Sequence, residues 1–208
     1  TVTGSIPGVT APTITYKKGN ETLTAAPADA GDYTASITLG EGENAKTASV
    51  EYSIEKATPT AENFSFTAPT DLIYNGKAKT AAIVPNTGIT GMGDVSVKYG
   101  RDGREVQNPT NAGTYTVKIA VIEGTNYATA SELTAERWKF TIARNTTPPT
   151  VTLSGDTTYT GGQIKPTVTV IVRETTLVVG QDYTVTYGEN KNAGENAGSV
   201  TVKAMGNY

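Results

Sequence analysis

The chain of 208 residues contains no cysteine and no histidine. Without cysteine there is no disulfide framework, no thiolate nucleophile and no Cys-ligated zinc. Without histidine there is no Ser-His-Asp triad, no His-ligated metal and no imidazole base. Charge is scarce too. Charged residues make up 18% of the chain, below the usual share of about 25%, and a net charge of -3 provides no field for nucleic acid or an anionic membrane. No apolar run approaches the roughly 20 residues of a membrane span. Thr1 to Thr10 lack the charged and apolar regions of a signal peptide, and there is no initiator Met, so the chain reads as an internal fragment of a longer precursor. What it has in quantity is threonine and turn formers, with 22 Gly and 10 Pro. That composition suits short strands joined by tight turns.

Three segments repeat one pattern. Asp29-Ala30-Gly31-Asp32-Tyr33-Thr34 lines up with Asn111-Ala112-Gly113-Thr114-Tyr115-Thr116 and with Asn196-Ala197-Gly198-Ser199-Val200-Thr201. A strand with a Tyr near its end precedes each, carrying Tyr16, Tyr99 and Tyr187. Tyr16 and Tyr99 are 83 positions apart, Gly31 and Gly113 82, and Gly113 and Gly198 85. Two independent anchors at nearly one period mark an array of related units. Gly124-Thr125-Asn126-Tyr127 is matched by Gly206-Asn207-Tyr208, and Val50-Glu51-Tyr52-Ser53-Ile54-Glu55-Lys56-Ala57 by Trp138-Lys139-Phe140-Thr141-Ile142-Ala143-Arg144. The stretches Thr58-Pro59-Thr60 and Thr146-Thr147-Pro148-Pro149 read as linkers. The expected domains are therefore 1–57, truncated at its N-terminus, a complete unit 58–145, and a divergent unit 146–208, truncated at its C-terminus.

Period-2 alternation predicts strands. Tyr115, Val117, Ile119 and Val121 share one face, as do Tyr33, Ala35, Ile37 and Leu39, while Trp138, Phe140 and Ile142 form the inward face of a closing strand. Only Ser131 to Arg137 offers a helical turn. The fold expected is all-β, with a sandwich in each unit; a β-grasp-like unit is the alternative and would need a helix. In immunoglobulin-type sandwiches a Tyr opens a strand after a tight turn and bonds back to the corner backbone. Gly31 with Tyr33, Gly113 with Tyr115, and Gly198 are the candidate structural corners. A plain hairpin with a core Tyr is the other reading, and Val200 in place of Tyr weakens the third corner.

Tyr74-Asn75-Gly76-Lys77-Ala78, then Tyr99-Gly100, Asn111-Ala112-Gly113-Thr114-Tyr115, Gly124-Thr125-Asn126-Tyr127 and Phe140-Thr141-Ile142 resemble the MBG or YDG repeats of large bacterial surface proteins, and bacterial Ig-like domains in general. The resemblance implies a secreted, adhesin-like protein displayed at the cell surface or cell wall, with no cofactor and no catalytic residue. It does not imply a ligand. Asp94, Asp102 and Glu105 lie in or beside turns and make a poor acid pair for glycoside hydrolysis. Gly40-Glu41-Gly42-Glu43 and Glu189-Asn190-Lys191-Asn192 read as solvated loops, since neither has the ligand pattern of a calcium loop. A Lys-Asn crosslink starting from Lys77 or Lys79 finds no Asn within the closing strand, Asn145 lying just beyond it. Two functions remain: a semi-rigid spacer whose partners are neighbouring repeats, or an adhesive module binding a host glycan or matrix protein through Gly124 to Arg137.

Overall fold

The computed structural model describes residues 12–40 and 42–208. Thr1 to Thr10 and Glu41, which enter the sequence arguments above, lie outside the described residues. The chain is all-β. Helical structure among the described residues amounts to two single turns of 3-10 helix, Gly42–Asn44 and Ala61–Asn63. The β-grasp alternative therefore lacks its helix. Ser131 to Arg137 forms no helical turn either, but lies inside a 13-residue strand.

The first sheet contains β1 (Ile14–Lys18), β2 (Glu21–Leu23), β3 (Gly31–Leu39) and β4 (Lys46–Ile54), in the order β2-β1-β3-β4. Its pairs are antiparallel, with Tyr16 opposite Ala35 and Tyr33 opposite Tyr52. Next come β5 (Phe64–Thr67) and β6 (Ala82–Pro85), which pair as a two-stranded sheet. The strands β7 (Val95–Arg101), β8 (Arg104–Val106), β9 (Gly113–Val121) and β10 (Ala130–Ile142) form a sheet in the order β10-β9-β7-β8. Counted from the short hairpin strand, this is the order of the first sheet again. The remaining strands are β11 (Thr150–Ser154), β12 (Thr167–Val172) and β13 (Thr175–Thr176) in one sheet, and β14 (Tyr183–Tyr187) with β15 (Val200–Ala204) in another.

Burial follows the alternation where a second layer is present. On β9, Tyr115, Val117, Ile119 and Val121 are all buried to 1% exposure or less, and on β10 Trp138, Phe140 and Ile142 are buried as well. Phe140 stacks on Tyr115 at 5.5 Å and meets Tyr99 edge-on at 6.0 Å, both favourable arrangements for ring quadrupoles. In the last segment Val170, Val172, Leu177 and Tyr183 form a small core, joined by Val168, Val185, Val202 and Tyr208. All but Leu177 and Tyr208 come from β12, β14 and β15, so this segment buries the faces of two sheets against each other.

The chain divides into two compact units. One holds the residues through Ser65 with Ile83–Val97 and Ile119–Thr134; the other holds Phe66–Ala82, Lys98–Lys118 and Ala135–Tyr208. The cuts fall inside the middle segment, not at the proline stretches. Pro59, placed in a linker by its sequence, is fully buried, whereas Pro148 and Pro149 are exposed.

Candidate functional site

The glycine corners are the most elaborated local structures in both units. In the first, Gly31 opens β3 and the Tyr33 hydroxyl donates to the Asp29 carbonyl at 2.8 Å. In the second, Gly113 opens β9 and the Tyr115 hydroxyl donates to the Asn111 carbonyl at 2.8 Å. Gly31 and Gly113 have φ of 151° and 148°, a conformation that side chains with a Cβ resist. A cation lies over each corner. Lys18 Nζ is 5.6 Å from the Tyr33 ring centroid, and Arg101 Cζ is 5.7 Å from that of Tyr115, within cation–π range. A Cβ on Gly113 would come within 2.7 Å of Arg101 Cζ, and one on Gly31 within 3.2 Å of Lys18 Cε. Glycine therefore serves both the turn and the approach of the cation. Arg101 also donates to the Tyr115 hydroxyl at 3.5 Å, which raises the guanidinium pKa further, with Asp102 adding to the shift.

Gly198 sits in a different arrangement. Its φ lies outside the left-handed region, and Val200 offers no hydroxyl. Tyr187 pairs with Val200, whereas Tyr16 pairs with Ala35, so the third motif enters its sheet two residues out of step with the first. Asn190, in a loop read from sequence as merely solvated, takes over here. Its Oδ1 accepts from the Ser199 N–H at 2.7 Å, and its Nδ2 donates to the Ile164 carbonyl at 3.2 Å.

A second asparagine completes each of the first two corners. Asn126 Oδ1 accepts from the Ala30 N–H at 2.8 Å, and Asn126 Nδ2 donates to Asp29 Oδ1 at 2.7 Å. Asn207 Oδ1 accepts from the Ala112 N–H at 2.8 Å, and Asn207 Nδ2 donates to Asn111 Oδ1 at 3.0 Å. The asparagine carbonyls are fixed too, receiving the Ala57 N–H at 2.9 Å and the Asn145 N–H at 2.8 Å. Each lock lies wholly inside one compact unit. Gly91-Met92-Gly93 backs the first. Asn126 N–H donates to the Gly91 carbonyl at 2.9 Å, and a Cβ on Gly93 or Gly124 would collide with backbone at 2.1 or 2.3 Å.

Around the first lock Lys56 and Glu123 form an ion pair at 2.5 Å. The Lys56 hydrogen bond, with its charge, holds the Glu123 carboxyl below the usual range. At the second, Tyr208 meets Tyr74 edge-on at 5.5 Å; its burial and the neighbouring Tyr74 push its hydroxyl pKa up.

The buried lysine of the middle segment has its own partners. Lys79 Nζ donates to Asp71 Oδ2 at 2.8 Å and to Asn75 Oδ1 at 2.9 Å, and the Lys79 hydrogen bond is the main reason the Asp71 pKa is lowered. Asn145 Nδ2 instead donates to the Tyr74 carbonyl at 3.2 Å. Among the acids, Asp102 pairs with Arg101 at 3.3 Å and Glu105 with Lys98 at 4.0 Å. No cluster of metal-ligating side chains occurs among the described residues. None of their helices is long and apolar enough to cross a membrane.

A family model described as the MBG domain matches residues 67–135. This stretch is an MBG-type domain. MBG domains are repeat modules of surface proteins, of a non-catalytic type. The match covers the middle corner and the Asn126 loop, so this one MBG-type stretch carries the asparagine of the first lock and the glycine corner of the second. Neither a curated protein nor a solved structure matches the chain significantly.

The corner glycines and tyrosines were legible from the sequence, but the lock asparagines were not given a role. Their signal lies in the spacing. Asn126 and Ala30 are 96 residues apart, and Asn207 and Ala112 are 95 apart, each more than one repeat period.

Proposed function

We propose that the chain is a non-catalytic spacer of a bacterial cell-surface protein, built of Ig-like repeats over 1–57, 58–145 and 146–208 and displayed outside the cell. The observation carrying this reading is the duplicated asparagine lock. A flexible string of domains needs no such contact. Here an asparagine from one segment satisfies a backbone N–H at the corner of the segment before it, and the same bond recurs one period later. Buried Pro59 supports the same reading, because a packed proline stretch restricts the junction it belongs to. Because the MBG-type stretch has both an asparagine plug and a glycine socket, it can be strung in series without new chemistry.

An adhesive role through Gly124 to Arg137 has less support. Asn126 is committed to the lock, Glu123 just before the stretch is committed to Lys56, and Ala130 onward belongs to β10. The chain has no native cysteine, so spin labels can be placed cleanly at Ser49 with Ser96 and, in a second sample, at Lys139 with Lys203, each pair inside one compact unit. The spacer reading expects a narrow distance distribution within each pair, broadened by Asn126→Ala in the first and by Asn207→Ala in the second. Distributions equally broad in parent and variant would refute it.

A further inference from the structure

The second lock repeats the first but lacks one charge. Lys56 lies two residues past the end of β4 and is held by Glu123. Arg144 lies two residues past the end of β10, the same position in the pattern. Its acid is missing. In the first lock Ile122 N–H binds the Asp94 carbonyl, and Glu123 falls between Ile122 and Asn126. In the second, Met205 N–H binds the Asp182 carbonyl, and only Gly206 separates Met205 from Asn207. The shorter loop deletes the acidic position, and Arg144 is exposed with no acidic partner among the described residues.

Arg144 opens into a cleft of about 640 Å³ inside the second compact unit, shared with Arg101, Gln181, Asn111 and Asn207. A volume of that order suits a small organic ligand. Arg101 is only partly neutralised, since its acid, Asp102, is 87% exposed. The Gln181 side-chain amide has no hydrogen-bond partner among the described residues, and Asn111 engages its side chain only through Oδ1. Two guanidinium forks match carboxylate geometry, and neutral amides match hydroxyls. The net charge of the chain is -3, so a pair of cations in one cleft is a local feature.

We propose that this cleft binds a carboxylate-bearing saccharide, with Arg144 pairing with the carboxylate in the place that Glu123 fills for Lys56. This goes beyond the spacer reading and does not depend on it. Trigalacturonate serves as the probe for calorimetric titration of the full chain, with neutral galactotriose and inorganic sulfate alongside. Saturable trigalacturonate binding is expected, weakened about tenfold or more in Arg144→Ala. Gln181→Glu, which adds a carboxylate to the same cleft, should weaken it as well. Galactotriose should not bind, and sulfate should displace the probe only at much higher concentration. Arg144 is exposed and makes no bond in the fold, so an unchanged circular dichroism spectrum will separate loss of site from loss of structure. No binding, equal binding by both variants and the parent, or equal binding of galactotriose would overturn the site. Equal displacement by sulfate would overturn its saccharide character.

Discussion

At the first lock Asn126 takes the Ala30 N–H and gives a bond to Asp29; at the second Asn207 takes the Ala112 N–H and gives a bond to Asn111. The first adds the Lys56–Glu123 pair, while the second leaves Arg144 open. The constant part is the satisfied backbone amide, and the variable part is charge. Energetics explain the split. Leaving a shielded N–H unpaired costs about 1–3 kcal/mol, whereas an exposed ion pair is screened by solvent and can be lost without loss of fold. The third corner makes the same point, because Asn190 supplies an amide oxygen from its own segment.

Valine at Gly113 should have the largest effect on this comparison. It combines an unfavourable φ with a 2.7 Å approach to Arg101, and a loss of about 2–4 kcal/mol is expected in denaturant unfolding. Gly31→Val should cost less, because Lys18 Cε lies farther off at 3.2 Å and Lys18 is not held, as Arg101 is, by a tyrosine hydroxyl and an acid. Equal costs would mean that the cation over the corner is irrelevant. Next, Asn126→Ala and Asn207→Ala should each destabilise by about 1–2 kcal/mol, with separate unfolding transitions in place of the single one expected of the parent chain. Tyr33→Phe removes one hydroxyl bond and should cost about 1 kcal/mol, whereas Tyr115→Phe also removes the bond that its hydroxyl accepts from Arg101 and should cost somewhat more. Similar values would show that the two corners are energetically alike despite their different cations.

The smallest effect is acid sensitivity confined to the first lock. The pKa of Glu123 is lowered in the folded state by Lys56. Its contribution is therefore complete above the ordinary carboxylate range and fades as pH falls through the lowered value. Glu123→Gln should abolish that part of the acid-induced shift in the unfolding midpoint. An undiminished shift in the variant would place the acid sensitivity elsewhere.

What the sequence revealed follows from what is local. Tyr115, Val117, Ile119 and Val121 alternate as a buried face should, and all four are buried. Tyr33, Ala35, Ile37 and Leu39 carry the same pattern, yet only Tyr33 is buried and Leu39 is half-exposed. Alternation specifies a strand with an apolar side, but burial needs a second layer, and the first segment has no described counterpart of the β5–β6 sheet. Gly31 and Gly113 were readable because a turn is encoded within a few residues. Asn126 and Asn207 acquire meaning only from partners more than a period away. Ser131 to Arg137 offered a helical turn by sequence, but it continues the alternation leading to Trp138 and lengthens β10 instead.

The central claim is that each asparagine closes the corner of the segment before it. Amide hydrogen exchange of Ala30 and Ala112 in the parent chain and in the two single Asn→Ala variants tests it most directly. Ala30 should lose protection only in Asn126→Ala, and Ala112 only in Asn207→Ala. Protection that survives at both amides in both variants would contradict the account.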